Sequence, residues 1–328
     1  MLLEVRNLKT FFHTFRGTVR AVDDVSFTIA KGEILGIVGE SGCGKSVTGF
    51  SIMGLIEEPG KVAGGEILFD GRRLLDLSDN QMNEIRGKEI SMIFQDPMTS
   101  LNPVYTIGEQ IEEMLTLHSS LSPRERRKRC VELLRSVGIP NPEGRLNDYP
   151  HHFSGGMRQR VIIAIALAAE PKLIVADEPT TALDVTIQAQ ILKLMKALVR
   201  ERNCSMMLIT HDLAVVSEMA DRIIVMYCGQ IVEEGRARDV IENPSHPYTQ
   251  GLIGSIPKLN EDKSRLETIH GIVPNMFELP EGCNFSPRCR FCREICFGVK
   301  PDFRLANTEG HLIRCHSACG VSEGGNEV

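Results

Sequence analysis

One short stretch constrains this chain more than any other. Gly39-Glu40-Ser41-Gly42-Cys43-Gly44-Lys45-Ser46 fits the pattern G-x-x-x-x-G-K-[ST]. It follows the apolar run Glu33-Ile34-Leu35-Gly36-Ile37-Val38 and precedes a helical stretch over residues 47–55. A strand, a glycine-rich turn and a helix in that order make a phosphate cradle. The glycines let successive backbone N–H groups curl inward as an anion nest, and the helix behind adds the positive end of its dipole. Lys45 is then placed to reach the β- and γ-phosphates of a nucleotide, and the Ser46 hydroxyl to ligate Mg2+. Cys43 reads as a small filler of the loop. Such a cradle belongs to α/β folds with a largely parallel sheet.

A complementary signal lies downstream. Leu173-Ile174-Val175-Ala176 reads as a buried strand, and Asp177 and Glu178 emerge at its C-terminal end, where ligands bind in open α/β sheets. Asp177 is expected to hold Mg2+ through water and Glu178 to polarise the attacking water. Met206-Met207-Leu208-Ile209 reads as a third strand. Residues 222–226, a turn at Gly229 and residues 230–233 read as a hairpin at the sheet edge. Between residues 97 and 170 helical signals replace strand signals. Ser122-Pro123 is an N-cap followed by proline at the first helical position. The basic run over residues 124–129 is expected to be the solvated face of an amphipathic helix. The segment reads as a helical subdomain inserted into the core.

Composition limits what else the chain can be. Its 328 residues are 42% hydrophobic and 24% charged, with a formal net charge of -6. That balance suits a globular protein and argues against one that grips nucleic acid by its phosphates. The longest apolar run, residues 161–169, covers nine residues, against about 20 for a membrane-spanning helix. The opening MLLEVRNLKT has no apolar stretch after a basic start, so no export signal is expected. Six of the ten cysteines crowd between Cys283 and Cys319, where prolines also become dense. That region is expected to be a separate, irregular unit and a candidate metal site.

Phe153-Ser154-Gly155-Gly156-Met157-Arg158-Gln159-Arg160 discriminates among the many proteins with phosphate cradles. It resembles the Leu-Ser-Gly-Gly-Gln signature of the ATP-binding-cassette family, matching at Ser154, Gly155 and Gly156 and departing at Phe153 and Met157. The resemblance implies a P-loop NTPase (RecA-like) core with an antiparallel β subdomain and an inserted α-helical subdomain, over residues 1–240. It implies that Gln95, in Phe94-Gln95-Asp96-Pro97, contacts Mg2+ and water and senses the membrane partner. His211 matches the switch histidine at the γ-phosphate, and Asp184, in Ala182-Leu183-Asp184, the aspartate that crosses a dimer seam. Gln95, Glu178 and His211 are thus the expected catalytic set, and residues 39–46 the ATP contacts. Phe12 is taken as the adenine-stacking aromatic, with Phe11 and Phe15 competing. The family works as a head-to-tail pair, in which ATP on one cradle is capped by the Ser154, Gly155, Gly156 and Asp184 counterparts of the other.

Phe94-Gln95-Asp96-Pro97-Met98-Thr99-Ser100-Leu101-Asn102-Pro103 and Asn243-Pro244-Ser245-His246-Pro247-Tyr248-Thr249 resemble the dipeptide/oligopeptide importer motors of this family. That branch implies a paralogous second motor, two transmembrane permease subunits and an external peptide-binding protein, at the cytoplasmic face of a prokaryotic membrane. Nickel or another small solute is the alternative cargo. A non-transport role is disfavoured, since the insert before Ser154 is too short for a long coiled coil. In residues 241–328 the branch implies a [4Fe–4S] cluster on Cys283, Cys289, Cys296 and Cys315. Cys289-x2-Cys292, read by itself, resembles half of a Zn2+ site, and unligated thiols are the third option. His311 and His316 are expected to be ordinary surface residues.

Overall fold

The computed structural model describes residues 1–181, 183–255, 269–306 and 308–317. Among them the strands make two sheets. The larger runs β11 (Phe303–Leu305), β12 (Leu312–Arg314), β10 (Gln230–Arg236), β9 (Arg222–Tyr227), β3 (Ile34–Val38), β8 (Ser205–Thr210), β7 (Leu173–Asp177), β6 (Ile90–Ile93). The smaller runs β2 (Gly17–Ile29), β1 (Leu3–Thr14), β4 (Gly60–Phe69), β5 (Arg72–Arg73).

Pattern explains the difference between them. β3, β7 and β8 are buried at every residue, and their unbroken apolar runs suit parallel strands covered on both faces. β3 pairs in parallel with β8 and β9, and β7 with β6 and β8. β1 pairs antiparallel with β2 and β4, with register shifts along both ladders. Its inward residues Leu3, Val5 and Leu8 pack with Ile29, Ile67 and Phe69.

The inserted segment is helical, with no strand between β6 and β7 among the described residues. Helix Ile107–His118 opens on a capping box of Thr106 and Glu109, and helix Pro123–Ser136 on one of Ser122 and Glu125. Each buries one stripe, Ile107, Ile111 and Leu115 on the first and Cys130, Leu133 and Leu134 on the second. The basic run is the outer face of the second helix, tied down by Arg126 to Glu112 and by Arg129 to Glu132 and Glu170.

Two expectations are corrected here. The β9–β10 hairpin is real, with Cys228 and Gly229 at positive φ in its turn, yet it is not at the edge of the sheet. β12 pairs antiparallel with β10, and β11 with β12. The region after residue 240 is therefore no separate cysteine-rich unit among the described residues. It extends the cassette's own sheet, and Tyr248 and Phe285 enter the main core beside Tyr227. Three-residue strands carry no readable periodicity, so the sequence hides this addition. His311 is the second correction. It is fully buried, with Nε2 2.7 Å from the equally buried Glu233 carboxylate. His316 is partly buried rather than fully at the surface, with Nε2 2.8 Å from the Val299 carbonyl oxygen.

Candidate nucleotide-binding site

The cradle forms where β3 ends. Gly39 has φ +154° and Gly44 φ +102°, backbone that favours glycine. A Cβ on Gly44 would lie 2.1 Å from the Ala21 carbonyl oxygen, and one on Gly39 2.2 Å from that of Met226. Both neighbours are backbone and cannot yield. Gly44 caps helix Lys45–Met53 without any side-chain bond, which leaves first-turn N–H groups for an anion. The Lys45 ammonium, 5% exposed, folds back over the loop and donates to the carbonyls of Gly39 (2.7 Å) and Glu40 (3.0 Å). Cys43 is buried, and burial raises its thiol against the opposing charge of Lys45. It packs the loop, as expected.

The Ser46 hydroxyl donates to Asp177 Oδ1 at 2.9 Å, so two of the expected Mg2+ ligands touch. Burial holds the Asp177 carboxyl above its ordinary range, beyond what the Ser46 hydrogen bond and the Lys45 charge bring back. A hydroxyl, a carboxylate and the Gln95 amide are hard oxygen donors of the kind Mg2+ takes. The residues fit that ion.

Glu178 follows β7 directly and sits at φ +45°, a strained setting for a residue with a side chain. Its N–H donates to the Ile209 carbonyl at 2.8 Å. Its Oε2 accepts from Gln95 Nε2 at 3.2 Å and from the Thr181 hydroxyl at 2.8 Å. Its Oε1 lies 3.2 Å from His211 Nδ1, on an imidazole 58% exposed. The expected catalytic set therefore meets at one carboxylate, at the C-terminal ends of the adjacent strands β6, β7 and β8. Thr181 was not visible from sequence. A hydroxyl three residues beyond the carboxylate was its only signal.

The signature residues lie elsewhere. Ser154 caps helix Gly155–Ala166, its hydroxyl accepting from Met157 N–H at 3.4 Å. Gly155 and Gly156 sit against Leu183 and Ile187, beside exposed Asp184, which begins helix Val185–Glu201. Ser154 and Gly155 are exposed. The candidates thus fall into two groups, one on the cradle and one on an open surface. Of the three phenylalanines, Phe12 packs over Gly60, its register partner, and Phe11 lies near Arg20. Phe15 is 96% exposed.

The C-terminal cysteines come together in part. Cys283 N–H donates to the Cys296 carbonyl at 2.8 Å, and Cys292 N–H to that of Cys289 at 3.2 Å. Burial, with Cys315 and Cys296 nearby, pushes the Cys283 thiol up to about 11. Burial, with Cys315, Cys283 and Cys292 nearby, pushes Cys289 to about 12. No three His, Cys, Asp or Glu side chains converge to hold a metal ion among the described residues. The structure therefore does not itself place a metal on Cys283, Cys289, Cys296 and Cys315. Cys319 lies outside the described residues.

Comparison with known proteins decides the family. The family described as ABC transporter matches residues 22–181, and that described as oligopeptide/dipeptide transporter, C-terminal region, matches residues 232–296. The chain is 50% identical to the dipeptide transport ATP-binding protein DppD of Haemophilus influenzae, over 100% of this chain and 98% of that one. The chain belongs to the ABC transporter family. The oligopeptide transport ATP-binding protein AppD of Bacillus subtilis is 53% identical over 96% of each chain. Among solved structures, the dimeric post-hydrolysis state of the ATP-binding cassette MJ0796, bound to ADP and Pi, is similar at a TM-score of 0.64 and 33% identity, covering 72% of this chain and 99% of that one. This ABC protein is accordingly an ATPase, and its fold is the cassette. No helix among the described residues is long and apolar enough to cross a membrane.

Proposed function

We propose that this chain drives uptake of di- or oligopeptides by hydrolysing ATP at the cytoplasmic face of a prokaryotic membrane. It would pair head to tail with a paralogous second ATP-binding subunit, beneath two transmembrane permease subunits served by an external peptide-binding protein. The observation that carries the reading is the split of the site: Gln95, Glu178 and His211 gathered beside the cradle, and Ser154, Gly155 and Asp184 exposed at other helix starts, with Gly156 partly buried beside them. A cradle without the exposed signature hydroxyl among its contacts would take a second cassette's signature to close over the triphosphate. The names of its relatives support peptides as cargo.

In the closed pair, Lys45 and the loop N–H groups grip the β- and γ-phosphates. Ser46, Asp177 and Gln95 would hold Mg2+, which when bound would supply neutralisation of charge on the phosphate oxygens. Glu178, oriented by Gln95 and Thr181, accepts a hydrogen bond and then the proton from water as its oxygen attacks phosphorus. The bond to the β-phosphate oxygen breaks, and ADP and inorganic phosphate leave. His211 donates to the γ-phosphate and ties the step to the strand end it caps. Exposure favours Phe15 over Phe12 as the ring beneath adenine, so Phe15→Ala should weaken ATP binding more than Phe12→Ala does. A [4Fe–4S] cluster on Cys283, Cys289, Cys296 and Cys315 belongs to this proposal. Its support is the branch resemblance and the nearness of these thiols, which need not converge as the ligands of a single ion must. When bound, it would cross-link the loops that carry them. Absorption spectra of anaerobically purified protein test it, and a colourless zinc-loaded sample contradicts it.

The transporter reconstituted with its binding protein tests the function. Short peptides should stimulate ATP hydrolysis. Stimulation by nickel or another solute, with none by peptide, overturns the cargo.

A further inference from the structure

Glu40, the second residue of the cradle, is held at three points. Its carbonyl accepts from Lys45 within the site. Its N–H donates to the Tyr248 hydroxyl at 2.8 Å, and its carboxylate receives Arg288 as a two-pronged fork, Nη1 to Oε2 at 2.6 Å and Nη2 to Oε1 at 3.1 Å. Tyr248 and Arg288 both come from beyond residue 240, the latter 248 residues from its partner. The Arg288 side chain is 4% exposed. Its Nη1 also reaches the Tyr227 hydroxyl at 3.3 Å and its Nε the His270 carbonyl at 3.2 Å. Tyr227, Tyr248 and Phe285 pack as a ring cluster with centroids 4.6 to 5.4 Å apart, which fixes the base of the fork.

Glu40 is an anion on the rim of a loop that must receive a triphosphate. Unpaired, it would repel that ligand and free the turn to move. A buried guanidinium fork neutralises it and fixes its direction. We propose that Arg288 is a positioning residue for ATP binding, reaching from the C-terminal region to neutralise Glu40 and hold the cradle in its nucleotide-ready shape. Arg288 immediately precedes Cys289, so the order of the cysteine-bearing loop and the affinity of the cradle are linked through this one side chain. The inference rests on residues 39–46 being the ATP cradle.

Equilibrium binding of ATP to the purified full-length chain tests it. Arg288→Ala should raise the Kd about tenfold, and Arg288→Lys, which keeps charge but loses the fork, about threefold. The discriminating variant is the double substitution Arg288→Ala/Glu40→Gln. Removing the orphaned charge should return at least half of the lost affinity. Arg288→Ala without effect on the Kd overturns the proposal. So does a double variant that binds as weakly as Arg288→Ala or more weakly, because a merely structural pair gives no rescue. Lys45→Ala in the same assay separates the two levels. Undiminished ATP binding there would overturn the cradle assignment itself, whatever Arg288 does.

Discussion

In the proposed mechanism Glu178 carries the chemistry, and its three neighbours Gln95, Thr181 and His211 decide how it points. Glu178→Gln keeps the shape and the contact to Thr181 but cannot take a proton. Turnover should fall by about 10²–10⁴ while ATP stays bound, read as single-turnover hydrolysis beside nucleotide retention. Gly44→Ala places a methyl against the Ala21 carbonyl at positive φ. A loss of ATP binding, measured by calorimetry, is the expected outcome. Lys45, Asp177 and Glu178 were legible because each follows an unmistakable buried strand or glycine loop in the sequence. Gln95 and His211 needed the family resemblance, since a lone polar residue at a strand end has no pattern of its own. His311 misled for the same reason, because its partner Glu233 lies far away in the chain and only the folded sheet joins them.

Helices and strands differ in how well the sequence displays them. Helix Pro123–Ser136 announces its start through Ser122, Pro123 and Glu125, and the fully buried strands β3, β7 and β8 through unbroken apolar runs. β11 and β12 announce nothing. They exist because β10 offers an open edge and Ile313 has a buried place to fill. Ile313→Ala should cost about 2–5 kcal/mol, measured by denaturant unfolding. The loop that leads into helix Pro247–Gly254 adds a pH dependence. Burial, outweighing the pull of Glu233, lowers His246 from 6.5 to about 4, and its Nδ1 accepts from Tyr248 N–H at 3.1 Å. The unfolded chain takes up this proton near pH 6.5 and the folded chain only near 4. Stability from this group is therefore complete above pH 6.5 and is lost as pH falls toward 4, by up to ~3 kcal/mol. Unfolding free energies at pH 7.5 and 5, compared with those of His246→Asn, check the sign.

On the scale of the whole molecule, the chain holds two incomplete surfaces: a cradle with its base, and a signature helix with its hydroxyl exposed. Neither length nor composition suggests that division. Motif order suggests the parts, and the fold sets them at the starts of two different helices, Lys45–Met53 and Gly155–Ala166. The most direct test is steady-state ATP hydrolysis by the assembled pair of cassettes with the serine of the signature replaced by arginine on both, Ser154→Arg on this chain. The account predicts a fall of ~10²-fold or more, since on that account the blocked surface would supply γ-phosphate donors, while each cradle still binds ATP. Hydrolysis at the unmodified rate would contradict it.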